Sequence, residues 1–213
     1  MLGDDIDYSR MAELHINRQD ETVGMYAIAF LNAASSIFEH GICDFAPYPG
    51  MYCLRHGLEL FVKQMTVYEA YEMRNKALLY RIGHGFLETW EQVKPYIEDC
   101  TRGGSYAPPD GPGLDTIARI DHTIREIHGA DPSGMLYRYP EHFVKGKRVD
   151  THFPEDRFYL PKWMRLADSL RSDCQQIEGL LKERCNSIQH TQKEYGTSLY
   201  DLVIALPARD ESS

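Results

Sequence analysis

No stretch of this 213-residue chain approaches the ~18 consecutive apolar residues that a membrane-crossing helix needs. The first residues, Met1-Leu2-Gly3-Asp4-Asp5, are acidic and lack an apolar h-region, so no secretory signal and a cytoplasmic setting are expected. Basic residues are in short supply: 23 Lys and Arg face 32 Asp and Glu, a net charge of −9. Such a chain repels phosphates as a whole, which excludes non-specific nucleic-acid binding and confines any such role to a local basic site. The cysteines are few and odd in number (Cys43, Cys53, Cys100, Cys174 and Cys185), with no Cys-x-x-Cys pair, so reduced and mostly buried thiols are expected. No three or four His, Asp or Glu residues share a ligand spacing, so neither a metal nor a cofactor is expected. Internal repeats are absent. The 24 aromatic residues, spread through the chain, argue against disorder except at the ends.

What the sequence does contain is helical periodicity. Met25, Ile28, Ala29, Leu31, Ala33 and Ile37 predict a helix over about 20–39, with Ala33-Ala34-Ser35-Ser36 small enough for a close neighbour. Pro47, Pro49 and Gly50 read as breakers before a second helix from near Met51, built on Leu54, Leu58, Phe61, Val62 and Met65 and running, with or without a break, to Gly83. A third runs from Phe86 to Ile97, where Pro95 predicts an early end or a kink. Residues 101–114 form a loop: four glycines and three prolines lie between Gly103 and Gly113. That loop lacks both the Gly-Lys-Ser/Thr ending and the preceding strand of a phosphate-binding P-loop. Asp115 is the expected N-cap of a helix through Ile117, Ile120, Ile124 and Ile127 to Gly129.

Residues 135–160 differ. Two extended segments flank a turn at Gly146, predicting a small β-hairpin insertion. From Met135 to Arg148 the charge is +3, carried by Arg138, Lys145, Lys147 and Arg148 against Glu141. This basic, aromatic-laced segment is either a solvated hairpin or an RNA-contact surface. A long final helix follows from Pro161 to Gly196, with Trp163, Leu166, Leu170, Cys174, Ile177, Leu181, Cys185 and Ile188 at steps of three or four. The expected organisation is one all-α domain over residues 1–198 and a tail over 199–213.

Four polar features lie on or beside these stripes. Glu59 and Lys63 stand at i, i+4 in Arg55-His56-Gly57-Leu58-Glu59-Leu60-Phe61-Val62-Lys63, the spacing of an ion pair that can serve the core or a site. His84, between Gly83 and Gly85, suits a helix cap or a site. Asp121, Arg125 and His128 share a face, with His122 beside them; this is ordinary helix electrostatics or a carboxylate-oriented base. In the last helix, Arg184-Cys185-Asn186-Ser187-Ile188-Gln189-His190 sets a guanidinium about 20° from Ile177, inside the apolar stripe. It must snorkel or face a partner. His190 lies about 120° away from it on a straight helix, so the two converge only through distortion or a second subunit.

The segment Leu54-Arg55-His56-Gly57-Leu58-Glu59-Leu60-Phe61-Val62-Lys63, followed by Gly83-His84-Gly85-Phe86-Leu87 and Trp90, resembles the HEPN (higher eukaryotes and prokaryotes nucleotide-binding) superfamily over roughly residues 20–195. Tyr137-Arg138-Tyr139-Pro140 and the long last helix add to the likeness. The resemblance implies an up-and-down helical bundle, a homodimer, and association with toxin–antitoxin or phage-defence systems and their partner proteins. Catalytic members are metal-independent endoribonucleases with an Arg-x(4–6)-His motif. Arg184 and His190 fit that spacing, with Asn186, Arg55, Glu59, Lys63 and His84 as supporting polar residues. There the histidine would exchange protons with the RNA 2′-hydroxyl and leaving oxygen while the arginine stabilises the phosphorane. The chain departs from the pattern at Cys185, where active members commonly carry a polar residue. Many members lack the pair, and the alternative is a non-catalytic interaction or nucleotide/RNA-binding module.

Overall fold

Twenty-six residues, Pro47–Glu72, form the helix on which three of the other α-helices pack. In the computed structural model it is α2, preceded by α1 (Thr22–His40) and followed by a 3₁₀ helix (Lys76–Arg81), α3 (Phe86–Arg102), α4 (Leu114–Ala130), strands β1 (Glu141–Val144) and β2 (Lys147–Asp150), and α5 (Leu160–Thr191). The structure describes residues 22–41, 47–73, 75–82, 85–102, 111–132, 134, 141–144, 147–150 and 160–191, with the side chains of 22, 76, 80, 81, 141–144, 147–150 and 188–191 excepted. Among them the architecture is a helical bundle, and no helix is long and apolar enough to cross a membrane.

From Gln64 to Tyr71 every residue of α2 is buried, as expected of a helix enclosed on all sides. It packs against α1, α3 and α5; α1 also meets α5, and α4 bridges α3 and α5. The shared core joins Leu31 and Phe38 to Leu54, Leu58 and Phe61, Trp90 and Ile97, Ile120 and Ile124, and Ile177 and Leu181. Gly57 sets the α1–α2 approach. A Cβ there would lie 3.0 Å from Leu31 Cδ2 and 3.1 Å from the Ala27 carbonyl oxygen. A mid-helix glycine costs about 1 kcal/mol, less than the ~2 kcal/mol gained by burying a side chain such as Leu31, which is wholly inaccessible.

The structure moves several expected boundaries. The α2 helix begins at Pro47, so Pro47 and Pro49 occupy its first turn, where a missing N–H is harmless, instead of breaking the chain before it. It ends at Glu72, and Leu78 falls in the 3₁₀ turn capped by the Asn75 side chain, which accepts from Ala77 N at 3.1 Å. The α3 helix runs through Pro95 to Arg102; both Pro95 and Glu91, whose carbonyl loses its donor, are exposed, so water can replace the missing bond. At α4 the N-cap is Gly113, with no side-chain cap, and Asp115 sits in the first turn, where its charge still complements the helix dipole. The strands pair antiparallel, with Phe143 opposite Arg148 and Val144 opposite Lys147.

Candidate functional site

The guanidinium that interrupts the apolar stripe of α5 meets a carboxylate at the end of α2. Arg184 Nε donates to Glu72 Oε1 and Oε2 at 2.9 and 2.8 Å, and its Nη2 donates to Oε1 at 2.6 Å. From α3, the Tyr96 hydroxyl donates to Glu72 Oε2 at 2.8 Å. Three helices are thus tied at one carboxylate. The side chains retain 23% (Arg184) and 13% (Glu72) of their exposure. Burial alone would push Glu72 up, but the hydrogen bonds from Arg184 and Tyr96 and the charge of Arg184 outweigh it and hold the carboxyl below its ordinary value. The bond to Glu72 in turn holds Arg184 firmly protonated, and burial together with nearby negative groups raises Tyr96.

Cys100 and Cys185 flank this cluster. Burial pushes their thiols to about 11 and about 12, the Arg184 charge opposing it, so both stay protonated at neutral pH. Cys53 and Cys174 are raised by burial too, and these four cysteines are all free.

A second cluster lies on α2. Arg55, only 6% exposed, donates from Nη1 to the Asp131 carbonyl at 2.7 Å and lies over the Phe86 ring, 5.2 Å from its centroid. Its Nε is 3.1 Å from Glu59 Oε1, close enough for an ion pair but not aligned for a hydrogen bond. His56, stacked on Tyr52 and edge-on to Phe30, stands 3.8 Å from the other Glu59 oxygen. Glu59 therefore faces Arg55 and His56, not Lys63. The sequence spacing missed this because a buried arginine needs the charge more than a partly exposed lysine does. Gly134, at φ +71°, makes room: a Cβ there would be 2.9 Å from Arg55 Nε. Arg55 is so enclosed that it works as a tie between α2 and the segment after α4.

The third cluster is a network of ion pairs around Asp121. Asp121 accepts from Trp90 Nε1 at 2.7 Å and Arg125 Nε at 3.2 Å, with Lys94 Nζ also at 3.2 Å. Burial raises Asp121, but these donors outweigh it and leave its pKa lowered. Arg125 also bonds Glu91. His128 Nδ1 is buried without a hydrogen-bond partner among the described residues, so Asp121 does not orient it as a base.

Compared with protein-family models, curated proteins and solved structures, the chain matches none.

Of the residues expected at a nuclease site, Arg184 is fixed on Glu72, and Asn186 is exposed on the same helix. His190 lies within α5, but its side chain is outside the described residues, as are His84, Arg138 and Lys145 altogether. Lys147 and Arg148 belong to β2, their side chains likewise undescribed. Arg55 and Glu59 come together; Lys63 joins neither. Among the described residues no three His, Cys, Asp or Glu side chains are grouped to hold a metal. Sequence reasoning missed Glu72 and Tyr96, whose separations from Arg184 (112 and 88 positions) leave no local signal. The only hint was the guanidinium itself, lodged in a greasy stripe and therefore in want of a partner.

Proposed function

We propose that this chain is a HEPN-like up-and-down helical bundle acting as a homodimeric, non-catalytic interaction or binding module, in which Arg184 serves the fold. One observation carries this reading: Glu72 occupies the Nε/Nη2 edge of the Arg184 guanidinium, with Tyr96 on the same carboxylate. An arginine that stabilises a phosphorane must offer its donors to the phosphate. Here a negative charge already neutralises it, and the carboxylate would repel the incoming phosphate.

The second reading is a metal-independent endoribonuclease of a toxin–antitoxin or phage-defence system, cytoplasmic and with an antitoxin or defence partner. It is favoured by the spacing of Arg184 and His190 on α5 and by the exposure that Arg184 retains. In it Glu72 must release the arginine, and Arg138, Lys145, Lys147 and Arg148 would hold the RNA.

The two separate on structured RNA in EDTA, using the wild type, His190→Ala and Glu72→Gln. The module reading expects no cleavage above background from any of them. Cleavage by the wild type that His190→Ala abolishes at unchanged thermal stability establishes the nuclease instead. Sedimentation should give twice the 24.6 kDa chain mass; a monomer at all concentrations overturns the dimer.

A further inference from the structure

Two helical faces meet in a groove that none of the three clusters above uses. On α4, Arg119, His122 and Thr123 follow at i, i+3 and i+4. On α5, Lys162, Arg165, Leu166, Ser169 and Leu170 recur at steps of three, one, three and one. They line a groove of about 300 Å³, the lower end of the range for small-molecule sites. Its apolar surface comes from Leu166 and Leu170, and its cations from Arg119, Lys162 and Arg165, with one lining carboxylate, Asp173. In a chain of net charge −9 this is a local inversion of sign.

The cations are differently committed. Asp173, itself buried, grips Arg119 through Nε at 2.9 Å and Nη2 at 2.7 Å, while half of the arginine side chain stays exposed. That grip neutralises the guanidinium, so the uncompensated charge of the groove comes from Lys162 and Arg165. Lys162 bonds Glu126 at 2.9 Å, the lysine half exposed and the carboxylate about a quarter exposed, so an incoming anion competes with Glu126 for it. His122 is 3.7 Å from the same Glu126. Arg165 is exposed and has no carboxylate partner among the described residues. The first turn of α5, from which Lys162 projects, carries no acidic residue, so the helix dipole also favours an anion there.

We propose that the groove between α4 and α5 binds a small organic anion of the phosphate-monoester class, the phosphate held by Arg165 and Lys162 and its organic group lying on Leu166 and Leu170. A dianion balances the two cations, Lys162 and Arg165, better than a singly charged carboxylate does. An apolar wall beside them is of no use to inorganic phosphate. The site is independent of Arg184 and stands or falls apart from the module and nuclease readings.

Titration calorimetry of the full chain at constant ionic strength, with phenyl phosphate, inorganic phosphate and benzoate as probes, tests it. Phenyl phosphate should bind at one site per chain, at least about tenfold more tightly than either other probe. Losing one charge-assisted donor should weaken it about tenfold in Arg165→Ala and further in Lys162→Ala/Arg165→Ala. Both positions are exposed, and unchanged melting temperatures verify that the variants fold. No saturable phenyl phosphate binding, equal affinity for inorganic phosphate, or an Arg165→Ala affinity within twofold of wild type overturns the proposal. So does a structured RNA that binds while phenyl phosphate fails to compete.

Discussion

Replacing Glu72 by Gln keeps the shape of the side chain and removes the charge on which Arg184 and Tyr96 converge. Ion pairs at the surface are worth ~0.2–1 kcal/mol, and breaking a buried one costs ~3–5 kcal/mol. With exposures of 23% and 13% and a fork of three short contacts, this pair falls between them, and Glu72→Gln should cost about 2 kcal/mol. For a chain of this size that lowers Tm by roughly 4–8 °C. Urea unfolding of the wild type, Glu72→Gln, Arg184→Met and the double variant measures the coupling directly, and it should exceed about 1 kcal/mol. The effect also depends on pH. The folded pKa of Glu72 lies below its ordinary 4.5, so the pair's contribution is complete above that pH and is lost as pH falls through the folded pKa. The gap between wild type and Glu72→Gln should therefore narrow on acidification. A Glu72→Gln variant within about 0.5 kcal/mol of wild type at pH 7 would refute the reasoning, as would a gap that widens in acid.

Two further substitutions probe the packing. Gly57→Ala gains about 1 kcal/mol of helix propensity but drives a methyl group to 3.0 Å from Leu31, and a net loss of about 1–2 kcal/mol is expected in chemical denaturation. A more stable variant would show that α1 and α2 are not in such close contact. Trp90→Phe opens space in the core and removes the indole donor from Asp121; a loss of about 2–4 kcal/mol is expected by the same measurement, and less than about 1 kcal/mol would argue against a buried bond there.

Much of the bundle is legible from periodicity because burial enforces it. The stripe through Leu54, Leu58, Phe61 and Met65, and that through Ile117, Ile120, Ile124 and Ile127, are both buried where the spacing sets them. Boundaries are less legible, since Pro47, Pro49 and Pro95 mean opposite things in a first turn, in a loop or on an exposed helical face, and only tertiary placement decides. The polar clusters were legible by halves. Arg184 announced a buried charge, yet the choice of Glu72 over any other acid is made by how α2 and α5 cross, which no local pattern encodes. Glu59 and Lys63 had the right spacing, but Arg55, more deeply buried, takes the carboxylate. The groove between α4 and α5 was invisible for the same reason: each helix shows only half of it.

The state of the Arg184 guanidinium tests the account most directly. In nitrogen-15 NMR spectra at neutral pH, the Arg184 Nε–H should give a resolved signal that exchanges slowly with water, and this protection should vanish in Glu72→Gln. An Nε–H that exchanges like those of exposed arginines, and does so equally in both proteins, would contradict it.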